Sequence, residues 1–186
     1  MLTARTLAEA QVYVSLAMAA DTAAPATEPA PIVPGENLTE GEEAWTLASP
    51  AGDIAIPYAS EDASRMIGAR YGLGVSQLVD AAQWAVVAAT YARRALEADM
   101  AYTGGPDQDR DTVELNWELA ADAVTEALKF LPEGAEVVPD EGVWTEFGRQ
   151  SRARNPELVT RGKLTDDLEY YRGTLDDFRA LYGESS

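Results

Sequence analysis

The stretch 76–98 constrains this chain most, because it is the most apolar long segment in it. Its polar residues Asp80, Gln83, Thr90 and Arg94 recur at steps of 3, 7 and 4, one narrow stripe at the helical period. Leu78, Val79, Ala82, Trp84, Val86, Val87, Tyr91 and Leu96 occupy the remaining faces. A helix apolar nearly all round is buried on most sides, so the spacing predicts a core helix with a single wet stripe from Asp80 to Arg94. Ser76 is its expected N-cap, freed from the preceding segment by Gly72 and Gly74. Asp80 and Gln83 interrupt the run and Arg93-Arg94 end it, short of the roughly 20 apolar residues a membrane span needs.

With 186 residues, 46% of them hydrophobic, the chain is expected to build one domain with a real core. It contains neither histidine nor cysteine. That excludes disulfides, thiol nucleophiles, thiolate or imidazole zinc sites and histidine-based triads, and leaves carboxylates, Tyr, Lys, Ser/Thr and Arg to carry any chemistry. The 32 acidic residues face 14 basic ones, a net charge of -18. Such a balance disfavours phosphate backbones and suits a basic partner.

Along the chain, Thr6 and Glu9 fit a capping box, and Leu7, Ala10, Val14 and Met18 follow at helical spacing. A secretory signal is the rival reading of 1–22, with Arg5 before an apolar run over 12–20. Four prolines and five glutamates make 23–43 a surface loop or tether. Trp45 and Leu47, then Ile54 and Ile56, alternate around a turn at 50–53, which predicts a β-hairpin. A helix over 60–71 is expected, capped by Ser60, begun by Glu61 and Asp62, and stopped by Gly72. A second core helix follows over 111–131, with Asp111 and Glu114 as capping box, Val113, Trp117, Ala120, Val124 and Ala127 inside, and Glu126 on the wet side. Residues 132–163 read as irregular, with a short helix over 140–149. The last helix, 165–182, carries Leu164, Leu168, Tyr171, Leu175, Phe178 and Tyr182 as a 4-3 seam that docks on the core or pairs with a second copy as a homodimer.

Three groups are candidate sites. Asp107, Asp109, Asp111 and Glu118 stand at positions 1, 3, 5 and 12 of a calcium-loop pattern, but Thr112 replaces the turn glycine; a solvated loop with an N-cap Asp also fits. The doublets Asp166-Asp167 and Asp176-Asp177 lie opposite the seam, where a wet face accounts for them. Trp144, Phe147, Arg149, Arg152 and Arg154, continued by Arg161 and Lys163, form a basic island beside two aromatic residues. They read either as a partner interface or as core plugs with internally paired arginines. No phosphate loop, nucleophile elbow or dinucleotide fingerprint is present.

Thr6-Leu-Ala-Glu-Ala10, Gln77-Leu-Val-Asp-Ala-Ala-Gln-Trp84 and Leu128-Lys-Phe-Leu-Pro-Glu-Gly134 followed by Trp144-Thr-Glu-Phe-Gly-Arg149 resemble a group of uncharacterised actinobacterial proteins. Relatives in that group carry two CxxC pairs, as in a zinc ribbon, between the first and central helices. The resemblance implies a shared fold in which this cysteine-free chain replaces the ribbon by its loop and hairpin.

The expected fold is mainly α (α+β): a helical bundle around a central buried helix, with one small β-hairpin. The expected function is that of a non-catalytic, acidic, cytoplasmic interaction protein of the immunity or inhibitor type. It binds a basic protein partner, without nucleic acid, membrane, metal or cofactor. The alternatives are a small-molecule binder or tailoring enzyme using carboxylates and tyrosines near Trp84 and Trp117, and a scaffold that self-associates through the last helix.

Overall fold

Apolar residues at alternating and helical spacing build two compact units, Met1–Asp80 and Ala81–Ser186. The structure, a computed structural model, describes residues 1–22, 37–105 and 108–183. Among these are four short strands and six α-helices. The fold is mainly α with a small sheet, as the patterning predicts.

The first unit begins with β1 (Leu2–Thr3) and α1 (Leu7–Thr22), and continues through β2 (Leu38–Glu40), β3 (Ala44–Leu47), β4 (Ile54–Pro57) and α2 (Tyr58–Met66). The expected hairpin is β3–β4, with Trp45 opposite Ile56 and Leu47 opposite Ile54. It grows into a sheet of order β1-β4-β3-β2. β1 pairs with β4 in parallel and β2 pairs with β3 antiparallel. Leu38–Glu40 is therefore a strand, not part of a surface loop; of the rest of that expected loop, 41–43 forms the turn to β3 and 23–36 lies outside the described residues. Leu47, Ile54 and Ile56 are buried on one face, and Thr3, Thr39 and Thr46 fall on the other.

The capping box at the start of α1 forms, and it does more than cap. The Thr6 hydroxyl accepts from Glu9 N at 3.1 Å and donates to the Arg70 carbonyl at 3.0 Å. Glu9, only 1% exposed, accepts from Arg5 N at 2.6 Å and from the Arg5 guanidinium at 2.7 and 3.0 Å. The same guanidinium donates to the Gly74 carbonyl, closing the 72–74 loop over it. Gly72 has φ +121°, and a Cβ there would collide with Arg5 Cβ, so that position admits no side chain.

Several expected boundaries move. α2 starts two residues before Ser60 and ends at Met66, and Gly68 at φ +71° turns the chain where Gly72 was expected to. Ser60 does not cap; its hydroxyl donates to the Arg5 carbonyl, and Glu61 accepts from Leu7 N at the start of α1. Ser76 accepts from Leu78 N and Val79 N in a turn, and the core helix begins only after it.

The second unit holds α3 (Ala81–Ala101), α4 (Arg110–Leu128), α5 (Glu146–Arg154) and α6 (Arg161–Tyr182), with 3-10 turns at Asp140–Gly142 and Pro156–Val159. α3 packs most extensively on α4, which in turn carries α6. Trp84 and Trp117 are completely buried, and alanines on both helices are buried with them. The predicted wet stripe is wrong in its first half: Asp80 and Gln83 are buried, and Ala89, Arg93, Leu96, Glu97 and Met100 form the exposed stripe instead. Glu126, expected on the wet face of α4, is buried and pairs with Lys129. The seam of α6 docks, with Leu164, Tyr171, Leu175 and Phe178 buried inside this chain. The N-terminal end of α3 meets Val138, Val143 and Val159 from the segment between α4 and α6.

Replacing Arg5 by Met leaves Glu9 a buried carboxylate without its ion partner. The expected loss is about 3 kcal/mol in urea unfolding, because truncating one member of a buried pair strands the other charge. Arg5→Lys is expected to recover less than half, since one ammonium cannot serve both Glu9 and the loop carbonyl. An Arg5→Met variant as stable as the parent would show the contact to be incidental.

Gly173 lies within α6, exposed, with open space where a Cβ would stand. Gly173→Ala is expected to gain about 0.5–1 kcal/mol from helix propensity alone. An unchanged or lowered Tm would contradict that.

Candidate functional site

The aromatic and basic patch is built on α5. Thr145 caps that helix by accepting from Gly148 N at 2.9 Å, and Gly148 is buried under it. The cap turns Trp144 and Phe147 outward: they are 37% and 40% exposed, while Val143 between the two turns is buried. Trp144 rests on Phe130, ring centroids 5.9 Å apart. Both aromatic side chains are thus only partly covered, Trp144 by Phe130.

The arginines are mostly committed within the chain. Arg149 donates to the Trp144 carbonyl at 2.6 Å and pairs with Glu146 at 3.3 Å. Arg152 pairs with Asp140 at 3.0 Å. Arg161 donates to the Ala135 and Pro132 carbonyls at 2.8 and 3.0 Å, holding the loop after α4 against the start of α6. Lys163 pairs with Asp167 one turn on. Arg154 is exposed, and among the described residues no ionic or hydrogen-bonding partner meets it. The basic island is therefore a set of structural clamps, with Arg154 as the cation left over.

The calcium pattern does not close. Asp107 lies outside the described residues. Asp109 is the N-cap of α4, accepting from the N–H and hydroxyl of Thr112, which holds its carboxyl below the usual range. The cap was expected two residues later, at Asp111, which is in the first turn. Residues 110–118 are helical, so Asp109 and Glu118 stand about 13 Å apart along the axis at 1.5 Å per residue and cannot share an ion. Glu118 instead pairs with Arg179 at 2.6 Å. Among the described residues no three carboxylates form a group that could hold a metal ion.

Between α4 and α6 lies a shallow groove of about 340 Å³. Glu118, Asp122, Arg172, Asp176 and Arg179 line it, with Ala121 and Leu175 at its floor. It is a charged seam rather than a hydrophobic site, and neither Trp84 nor Trp117 contributes to it. Trp117 donates its indole N–H to Asp99 at 3.3 Å. Burial, with Asp167 and Tyr170 adding to it, pushes the Tyr171 hydroxyl up to about 12. At neutral pH that ring keeps its phenolic proton and is an uncharged packing surface beside Trp117.

At the other compact unit, the turn joining β2 to β3 exposes Glu40, Glu42 and Glu43. Gly41 N donates to the Ala44 carbonyl at 2.9 Å, and the Tyr58 hydroxyl donates to the Gly41 carbonyl at 2.9 Å. Trp45 packs edge-on against Tyr58, centroids 4.9 Å apart. The turn is thus braced from both sides while its three carboxylates point into solvent, and among the described residues none has a cationic partner.

Comparison with protein families, curated proteins and solved structures finds no match to this chain.

One ion cluster supports a pH test. Arg179 donates to Glu114 at 2.7 Å while Arg110 donates to it at 2.6 Å. The Arg179 hydrogen bond comes first among the causes that hold the Glu114 carboxyl below its ordinary value of 4.5, with Arg110 adding to it and burial opposing both. A depressed carboxylate adds stability above its unfolded pKa and loses it as pH falls through the folded one. Parent and Glu114→Gln are therefore expected to differ most above the ordinary carboxylate range, by no more than about 1 kcal/mol because the cluster is partly solvated, and to converge as pH falls through the depressed value of Glu114. A gap that stays constant in urea titrations across that range would rule the ion cluster out as its source.

Proposed function

We propose that this protein is a non-catalytic binder of a basic protein partner, an inhibitor- or immunity-type protein of an actinobacterial cytoplasm. The observation that carries the reading is the unneutralised acid of the first unit. Residues 1–80 hold eleven acidic and three basic residues. Two of those three, Arg5 and Arg65, are already paired with Glu9 and Asp62. Among the described residues the densest exposed group of carboxylates is Glu40, Glu42 and Glu43 at the braced β2–β3 turn. A field of one sign raises the rate and selectivity of encounter with the opposite sign. In the second unit, half-exposed Trp144 and Phe147, with Arg154, supply contact area of the type that anchors interfaces. A chain without histidine or cysteine lacks thiol nucleophiles and imidazole general bases, which fits a binding role. Among the described residues no helix is long and apolar enough to cross a membrane.

Capture on immobilised full-length protein at about 50 mM and about 500 mM salt tests this. Retained proteins are expected to be basic and to elute at the higher salt, where charge attraction is screened beyond a few ångström. Failure to capture anything, or capture indifferent to salt, counts against the reading.

A further inference from the structure

The geometry points to β2 as a docking edge for an extended, lysine- or arginine-bearing segment of a partner protein. This rests on the reading of the protein as a binder of basic partners and names the surface it would use.

The sheet order β1-β4-β3-β2 leaves β2 outermost, and among the described residues nothing pairs with its far side. In an antiparallel pair, backbone groups alternate between bonding the neighbour and facing away. Ala48 N bonds the Asn37 carbonyl and Gly41 N bonds the Ala44 carbonyl, so positions 37, 39 and 41 serve β3. The N–H and C=O of Leu38 and of Glu40 therefore face the open edge. An incoming strand meets four backbone groups in register with a strand that the β3 ladder and the Tyr58 brace already hold straight.

Charge decides which strand. Open edges invite pairing with any extended chain, and inward or flanking charges restrict that pairing. Glu40 lies on the core-side face at the edge, and Glu42 and Glu43 follow it in the turn. A second copy of this chain would bring three more carboxylates to the same place, and like charges facing across strands are destabilising. A segment with a cation at alternate positions meets Glu40 on one face and the turn carboxylates at its end, so the edge that rejects its own kind accepts a basic one.

The test uses the full chain and an end-capped peptide of about ten residues alternating lysine and threonine, alongside the same peptide N-methylated at every backbone nitrogen. The two carry equal charge, but the second has no donors for a ladder. Amide exchange followed by NMR is expected to slow at least tenfold at Leu38 and Glu40 with the plain peptide and to stay unchanged with the methylated one. Joint Glu40→Lys, Glu42→Lys and Glu43→Lys substitution is expected to weaken plain-peptide binding at least tenfold. If both peptides bind equally and leave Leu38 and Glu40 unprotected, the docking edge is overturned while acid-driven binding stands. If neither peptide nor polylysine binds at low salt, the edge and the reading beneath it both fall.

Discussion

Close approach of α3 and α4 is the constraint on which the second unit depends. The residues buried along α3 include Ala81, Ala82, Ala85, Ala88, Ala92 and Ala95, and those along α4 include Ala120, Ala121, Ala123 and Ala127. Small side chains let two helix backbones come near, and Trp84 and Trp117 fill the volume that alanines leave open. The exposed face of α4 then has one apolar strip remaining, which the α6 seam covers. That is why the heptad-like spacing of Leu164 to Tyr182 needs no second chain: the partner it calls for is present within the molecule.

In the first unit a much smaller knot does the comparable work. One buried carboxylate, Glu9, fixes Arg5, and Arg5 fixes the turn at Gly72 and Gly74. Thr6 ties the same point to Arg70, and Ser60 and Glu61 tie it to α2. These contacts link residues more than fifty positions apart through side chains of ordinary type. The motif-like segments elsewhere have the same character. Thr145 and Gly148 of the Trp144 to Arg149 segment are a helix cap and the close contact beneath it, and Pro132 and Ala135 offer the carbonyls that Arg161 grips. These segments thus have architectural work to do in this chain.

How much of this was legible follows from the range of the forces involved. Helical periodicity located α1, α3, α4 and α6, and alternation located β3 and β4, because burial of one face imprints its period on the chain. β1 and β2 left no such imprint, being two and three residues long and defined by what they pair with. The α4 cap was misplaced by two residues because Asp109 and Asp111 are equivalent in local pattern. Thr112 offers Asp109 both an N–H and a hydroxyl, while Glu114, the expected partner of Asp111, is drawn to Arg179 sixty-five residues away. Asp80 and Gln83 were read as wet because a polar side chain is normally exposed, and their burial depends on tertiary surroundings that spacing does not encode. Of the candidate patch, Trp144 and Phe147 are partly exposed on α5, while Arg149 and Arg152 are taken up by a carbonyl and carboxylates of the chain itself and Arg154 is not. The acidic turn at 40–43 was read only as tether composition, since its exposure is decided by the strand pairing on either side.

The distribution of tryptophans gives the molecule a built-in optical address. Trp45 is the sole indole in the first unit, half-buried and edge-on to Tyr58 at the start of α2. Trp84 and Trp117 sit in the dry interior of the second unit, and Trp144 lies at its surface. Light absorbed by these rings is therefore emitted from three different environments, and solvent quenchers reach them unequally. Trp45 also stands opposite Glu40 on the neighbouring strand, so its emission samples the electrostatic surroundings of the sheet's open side without any label being added.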